Sequence, residues 1–114
     1  MADIESVDAA LDEIVARLAS LEQGTRAKIP NISVSVWIRD LDIAFSGRFD
    51  GGAFLDVGHI DPGEVVKAAL RLTLTSDDFI ELAQDRLSFG AGWAKGRIKV
   101  DARFRDLLAL RRFL

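Results

Sequence analysis

The chain has 114 residues, 49% of them apolar and 29% charged, with a formal net charge of -3, the balance of one soluble domain around a single core. It has no cysteine and a single histidine, His59. A disulfide framework and a thiolate metal site are therefore excluded, the usual zinc sites lack ligands, and neither a metal nor a cofactor is expected.

The first element is a helix over residues 3–23. Ile4, Val7, Leu11, Ile14, Leu18 and Leu21 form a narrow apolar seam at alternating three and four spacing. Asp3 or Ser6 caps its start, alanines favour helix around the seam, and Gly24 is the expected stop. Residues Thr25 to Asn31, with Pro30, form a connector.

Three strands follow. In Ile32 to Arg39 the apolar Ile32, Val34, Val36 and Ile38 alternate with Ser33, Ser35, Trp37 and Arg39. Leu41, Ile43, Phe45 and Phe49 mark the second strand, with Gly47 as a bulge or a close backbone approach. Asp50-Gly51-Gly52 is a hairpin turn that needs positive φ, and Ala53, Leu55 and Val57 make the third strand of an antiparallel meander. Gly58 to Gly63 is predicted as a loop carrying His59 beside Asp61 and Glu64. A histidine near carboxylates can serve as a general base, but without a nucleophile motif or a second histidine this one reads as a surface residue.

Val66 to Thr75 is predicted as the fourth strand, with Ala68, Leu70, Leu72 and Leu74 on one face. Thr75 or Ser76 then caps a helix whose first turn holds Asp77 and Asp78 and whose apolar side is Phe79, Ile80, Leu82 and Ala83. Phe89 and Trp93 meet on one side of a helical turn. Gly96 hands that turn over to a fifth strand, in which Ile98, Val100 and Ala102 alternate with charged residues. Arg103 to Leu114 is an amphipathic helix with Phe104, Leu107, Leu108 and Leu110 inward and arginines outward. The order of elements predicts an α+β domain spanning residues 1–114, a five-stranded, mostly antiparallel sheet with helices on one face.

The C-terminal part is basic: Lys95, Arg97, Lys99, Arg103, Arg105, Arg111 and Arg112 stand against Asp101 and Asp106. Such a segment faces an anionic surface or simply solvent, while the acidic remainder speaks against nucleic acid as the main partner. No apolar run approaches the ~20 residues of a membrane span. The acidic start Met1-Ala2-Asp3-Ile4-Glu5 lacks the pattern of a secretory signal, so the cytoplasm is the expected location. Phosphate-loop, dinucleotide and nucleophile-elbow motifs are absent. What stands out is a surplus of large apolar residues in segments that should meet: Phe79, Leu82, Phe89, Trp93, Phe104, Leu107 and Leu108.

Two local patterns resemble those of the sterol carrier protein type 2 domain. One is Leu72-Thr73-Leu74-Thr75-Ser76-Asp77-Asp78-Phe79, similar to that family's strand leading into a capped helix. The other is Phe89 through Val100, ending Trp93-Ala94-Lys95-Gly96-Arg97-Ile98-Lys99-Val100, which resembles its aromatic, glycine and basic segment. The chain departs from the family after the last strand, where Gly-Asp is usual and Asp101-Ala102-Arg103-Phe104 stands instead. The resemblance implies a sheet covered by helices, with an apolar tunnel for a fatty acid, acyl-CoA or sterol. By position it implies a lining of Phe45, Leu72, Phe79, Leu82, Phe89, Trp93, Phe104 and Leu108.

The expected function is therefore non-catalytic carriage of a hydrophobic small molecule. Transient contact with anionic membrane would run through Arg103, Arg105, Arg111 and Arg112. The alternative is an interaction module in which the first helix or a sheet edge makes a homodimer and no ligand binds. A small enzyme in a cone-shaped α+β pocket, like the ketosteroid isomerases, would need a buried Asp or Tyr. Tyrosine is absent, and every aspartate reads as a turn, cap or surface residue.

Overall fold

The computed structural model describes residues 2–110. Helix α1 (Ile4–Ala19) begins at Asp3, whose carboxylate accepts the backbone N–H of Ser6 at 2.8 Å. It ends at Ala19, short of the predicted residue 23. Ser20 is the reason: its hydroxyl donates to the carbonyl of Arg17 at 2.8 Å, a local bond that competes with continuation of the helix. Gly24 instead lies within a separate short helix, α2 (Gln23–Arg26).

Strands β1 (Ile32–Ile38), β2 (Ile43–Asp50) and β3 (Ala53–Ile60) form the predicted meander. The β2–β3 turn holds Gly51 at φ 61° and Gly52 at φ 83°, the positive pair that a tight two-residue hairpin requires. Gly47 is not itself the bulge: it faces one on the neighbouring strand and allows a close approach. The register of β2 with β3 shifts there, with the extra residue in β3, where Asp56 takes φ 56°. A Cβ on Gly47 would also lie 2.7 Å from the ring of Phe54.

His59 is not in a loop. Pairing with β2 carries β3 through to Ile60 and sets His59 opposite Phe45. The imidazole meets the Phe45 ring edge-on at 5.0 Å and its Nε2 lies 2.7 Å from Oδ1 of Asp8, so it joins β3 to α1 while remaining half exposed.

The predicted fourth strand is shorter than expected. Residues Pro62–Lys67 form a 3-10 helix, and β4 spans Leu70–Leu74. The apolar alternation of β4, extended backwards, takes in Val66, but Pro62 and Gly63 bend the chain across the outer face of the sheet. There the Ser35 hydroxyl donates to the Val65 carbonyl at 2.8 Å, and the Ser33 hydroxyl accepts from the Ala69 N–H at 2.9 Å. Strand β4 lies parallel to β1, and β5 (Lys99–Ala102) pairs antiparallel with β4, giving the five-stranded order β3-β2-β1-β4-β5.

Helices α3 (Ser76–Ala83) and α4 (Phe89–Ala94) lie with α1 on the inner face, where Val7, Ala10, Phe79, Ala83 and Leu87 share one buried cluster with Ile38, Phe45, Leu74 and Ile98. Thr75 caps α3 by accepting the Asp78 N–H. Helix α4 ends in a turn at Gly96, φ 76°, and Gly92 lets Ile98 close on it: a Cβ on Gly92 would stand 2.7 Å from Ile98 Cδ1. The last element, α5, spans Phe104–Leu110. Leu107 is half-buried, but Leu108 is 45% exposed and does not face inward as predicted. Arg111 and Arg112 lie outside the described residues.

The start of α3 is held by a polar cluster. Asp40 accepts the Ser76 N–H at 2.8 Å and the Ser76 hydroxyl at 2.6 Å, and Ser76 Oγ accepts from the Ala2 N–H. Partial burial would raise the Asp40 pKa, but the Ser76 bonds outweigh it and the net shift is downward. A carboxylate depressed in the folded state contributes stability above its unfolded pKa, about 3.9, and loses it as pH falls through the folded value. Asp40→Ala should therefore cost about 1–2 kcal/mol at neutral pH, the lower part of the range for charged hydrogen bonds because Asp40 stays in contact with water. Urea midpoints should show the gap between variant and wild type closing as pH falls below about 4.

Candidate ligand cavity

The inner face of the sheet has a gap at its centre. Val34, Ile38 and Phe45 are buried, yet Val36, between the first two on the central strand, is only half-buried. Val36 pairs in register with Phe45 on one side and Leu72 on the other, and Leu72 is half-buried as well. Residues in such positions normally touch close-packed neighbours. Here they form the floor of a cavity of about 430 Å³, within the span of roughly 300–1,000 Å³ usual for small-molecule sites.

Each wall comes from a different element. Leu11, Ile14 and Leu18 of α1 form the roof, and Leu21, Ile29 and Pro30 around α2 continue it. Phe79 and Leu82 of α3 stand with Phe89 at one end, where the Phe79 and Phe45 rings approach to 5.7 Å. Phe49 and Phe54, stacked at 4.6 Å near the hairpin tip, stand at the other. Among the described lining residues, Arg17 is the charged one, and Ser46 and Thr25 carry the hydroxyl groups. The Arg17 guanidinium donates to the carbonyls of Leu82 and Ala83, fastening α1 to the end of α3. Arg97 fastens the other side of α3, reaching Asp78 and Glu81 at 2.5 Å each, and those carboxylates, Asp78 foremost, raise its pKa.

Of the residues proposed for the lining, the structure brings Phe45, Leu72, Phe79, Leu82 and Phe89 together around this space. Trp93 stands apart from it. Its ring meets Phe89 at 5.8 Å, but it packs against the second cluster, Ile32, Val34 and Leu70, behind the wall. Leu108 is turned to solvent, and the side chain of Phe104 lies outside the described residues. The roof from α1, the Phe49–Phe54 pair and the connector residues were missed. The apolar seam of α1 signalled an inward face, but a seam looks the same whether it meets side chains or a cavity. Among the described residues, no group of three or more His, Asp or Glu is placed to hold a metal ion, and no helix is long and apolar enough to cross a membrane.

An α+β sheet with order β3-β2-β1-β4-β5, and helices enclosing an apolar space on one face, defines a recognised architecture. The chain has the fold of sterol carrier protein 2. A crystal structure of sterol carrier protein 2 superposes with a TM-score of 0.69 at 16% identity, over 92% of this chain and 84% of that one. Sterol carrier protein 2-like 2 from Aedes aegypti gives 0.64 at 14% identity, over 96% and 97%. Sterol carrier protein 2 from Aedes aegypti, solved as a complex with the C16 fatty acid palmitate, gives 0.60 at 16% identity, over 99% and 96%. No protein-family model and no curated protein matches the sequence.

Proposed function

We propose that this protein binds and carries a long-chain hydrophobic molecule, of which a fatty acid is the simplest example, without transforming it. The observation that carries this reading is the space left over Val36 and Leu72 in the middle of an otherwise packed sheet. Leaving it empty forfeits the contacts of its aliphatic and aromatic lining, and an acyl chain restores them. Burying about 300–400 Å² of chain at 25 cal/mol per Å² supplies roughly 7–10 kcal/mol before ordering costs, and a micromolar affinity needs about 8. The palmitate complex of a protein with the same fold supports the same class of ligand. Among the described residues, the wall offers one guanidinium and two hydroxyls, a lining suited to holding a ligand rather than to acid–base or nucleophilic chemistry. A cytoplasmic carrier would load at membranes, and the exposed Arg103 and Arg105 give it a basic surface for anionic lipid.

Native mass spectrometry of protein purified from cells tests this reading, together with thermal unfolding in the presence of palmitate. A retained lipid mass is expected. Ligand at 100 times its dissociation constant should add about 2.7 kcal/mol of stability, a rise of order 10 °C for a domain of this size. Unchanged melting with palmitate, acyl-CoA and a sterol, each at its solubility limit, would remove the proposal.

A further inference from the structure

The walls of the cavity are not equally anchored. Helix α1 buries Val7 and Ala10 and is fastened to α3 through Arg17. Helix α3 buries Phe79 and Ala83 and is held from the β5 side by Arg97. Helix α2 differs from both. It buries no residue, its cap residue Glu22 makes no side-chain capping bond, and Gln23, Gly24, Thr25, Ala27 and Lys28 are exposed. Its four residues fall far short of the ~12–15 at which a helix begins to stand alone in water. Yet this segment supplies Thr25, Ile29 and Pro30 to the cavity wall.

Two polar contacts hold it to the tip of the β2–β3 hairpin. The Asn31 side chain accepts the Gly51 N–H at 2.9 Å, and Arg26 Nε donates to the Gly52 carbonyl at 3.4 Å, beyond the ~2.7–3.2 Å of a normal bond. The seat itself is close: a Cβ on Gly52 would stand 2.7 Å from the Arg26 carbonyl oxygen and 2.8 Å from Arg26 Cβ. Lifting the segment breaks these contacts and bares Ile29 and Pro30, with the buried cores of both clusters left intact. Moving α1 or α3 would tear those cores.

We propose that residues 20–31 are a door over the cavity, and that ligand passes between α2 and the hairpin tip, across the stacked Phe49 and Phe54. This rests on the carrier reading and adds the route. Sub-global openings of this kind draw on the least anchored part of a fold, and such gates set exchange rates without setting affinity.

The chain has no cysteine, so Arg26→Cys with Gly52→Cys offers one disulfide, across the door. Gly52→Cys puts a side chain at φ 83° and 2.7 Å from the Arg26 carbonyl oxygen, so the bridge forms with the hairpin tip shifted, and the reduced double variant is the reference for its rates. With a fluorescent C16 fatty acid as probe, release from the oxidised protein should be at least about tenfold slower than from the reduced protein, and reductant should restore it. Arg26→Ala, which loosens the door, should speed uptake and release together, leaving the dissociation constant within about twofold. Equal rates in the oxidised and reduced forms, with the disulfide confirmed by mass, overturn the proposal. Should the cysteine pair prevent folding, release from Arg26→Ala no faster than from wild type overturns it instead. A wild type that takes up no fatty acid removes the carrier reading and the door with it, whereas uptake with door-independent rates removes the door alone.

Discussion

Protein carrying Val36→Phe together with Leu72→Phe is expected to fold as well as the wild type and to lose its fatty acid binding. Both residues lie on the cavity floor as neighbours in register on β1 and β4. In a close-packed interior, larger side chains at adjacent positions cost about 1–3 kcal/mol. Here about 430 Å³ of space lies above them, and phenylalanine suits a strand. The unfolding free energy should stay within about 1 kcal/mol of wild type, because new ring contacts offset residual strain. Fatty acid affinity should fall by at least about 100-fold, or 2.7 kcal/mol, since the rings occupy the volume the chain needs. Displacement of a fluorescent fatty acid and urea unfolding measure the two quantities. Wild-type affinity in a folded double variant would show that the ligand lies elsewhere.

Phe45→Ala is expected to have the largest effect on stability of any single substitution in the sheet. Phe45 is 1% exposed and packs against the rings of Phe79 and His59. Losing a buried phenylalanine costs about 3–5 kcal/mol, a large part of the 5–15 kcal/mol that holds a typical domain together. Because the residue also borders an existing space, the variant should gain room for ligand as it loses stability. A saturating fatty acid should then recover more of its melting temperature than it adds to wild type. Phe89→Ala gives the contrast, since Phe89 is half-buried and its loss should cost clearly less. Similar losses for the two would mean that the α4 end of the cavity is packed as tightly as the floor.

Much of this architecture can be read from residue type and spacing. Gly51 and Gly52 mark the hairpin because no other residue takes two positive φ values so cheaply. Thr75 and Asp3 mark helix starts through their side-chain oxygens, and the period-two run Ile32 to Ile38 marks the central strand. Other features depend on what lies across space. Val65 and Val66 look like the start of β4, but Pro62 and Gly63 bend the chain into a 3-10 helix that the hydroxyls of Ser33 and Ser35 on another strand receive. Leu108 matches a helical apolar period yet faces solvent, because a period gives a direction without giving a partner. The cavity shows the same limit. Phe79, Leu82 and Phe89 are legible as part of an apolar surplus, and Phe45 and Leu72 enter through the family resemblance, but nothing in the spacing distinguishes Trp93, which packs behind the wall, from Phe89, which stands on it. The contribution of Leu11, Ile14 and Leu18 is hidden for the converse reason, since they have the pattern of any helix laid on a sheet.

A fold built around empty space has a mechanical consequence. Unfolding abolishes internal voids, so a chain with a large void occupies more volume folded than unfolded, and compression favours the smaller state. Typical domains shrink by about 20–100 mL/mol on unfolding, in proportion to the void they lose. The space of about 430 Å³ over Val36 and Leu72 opens to solvent, so only the part that its apolar lining keeps dry adds to this volume difference. On the carrier reading, an acyl chain packed there fills that dry part, so protein with bound fatty acid should resist compression better than protein without it.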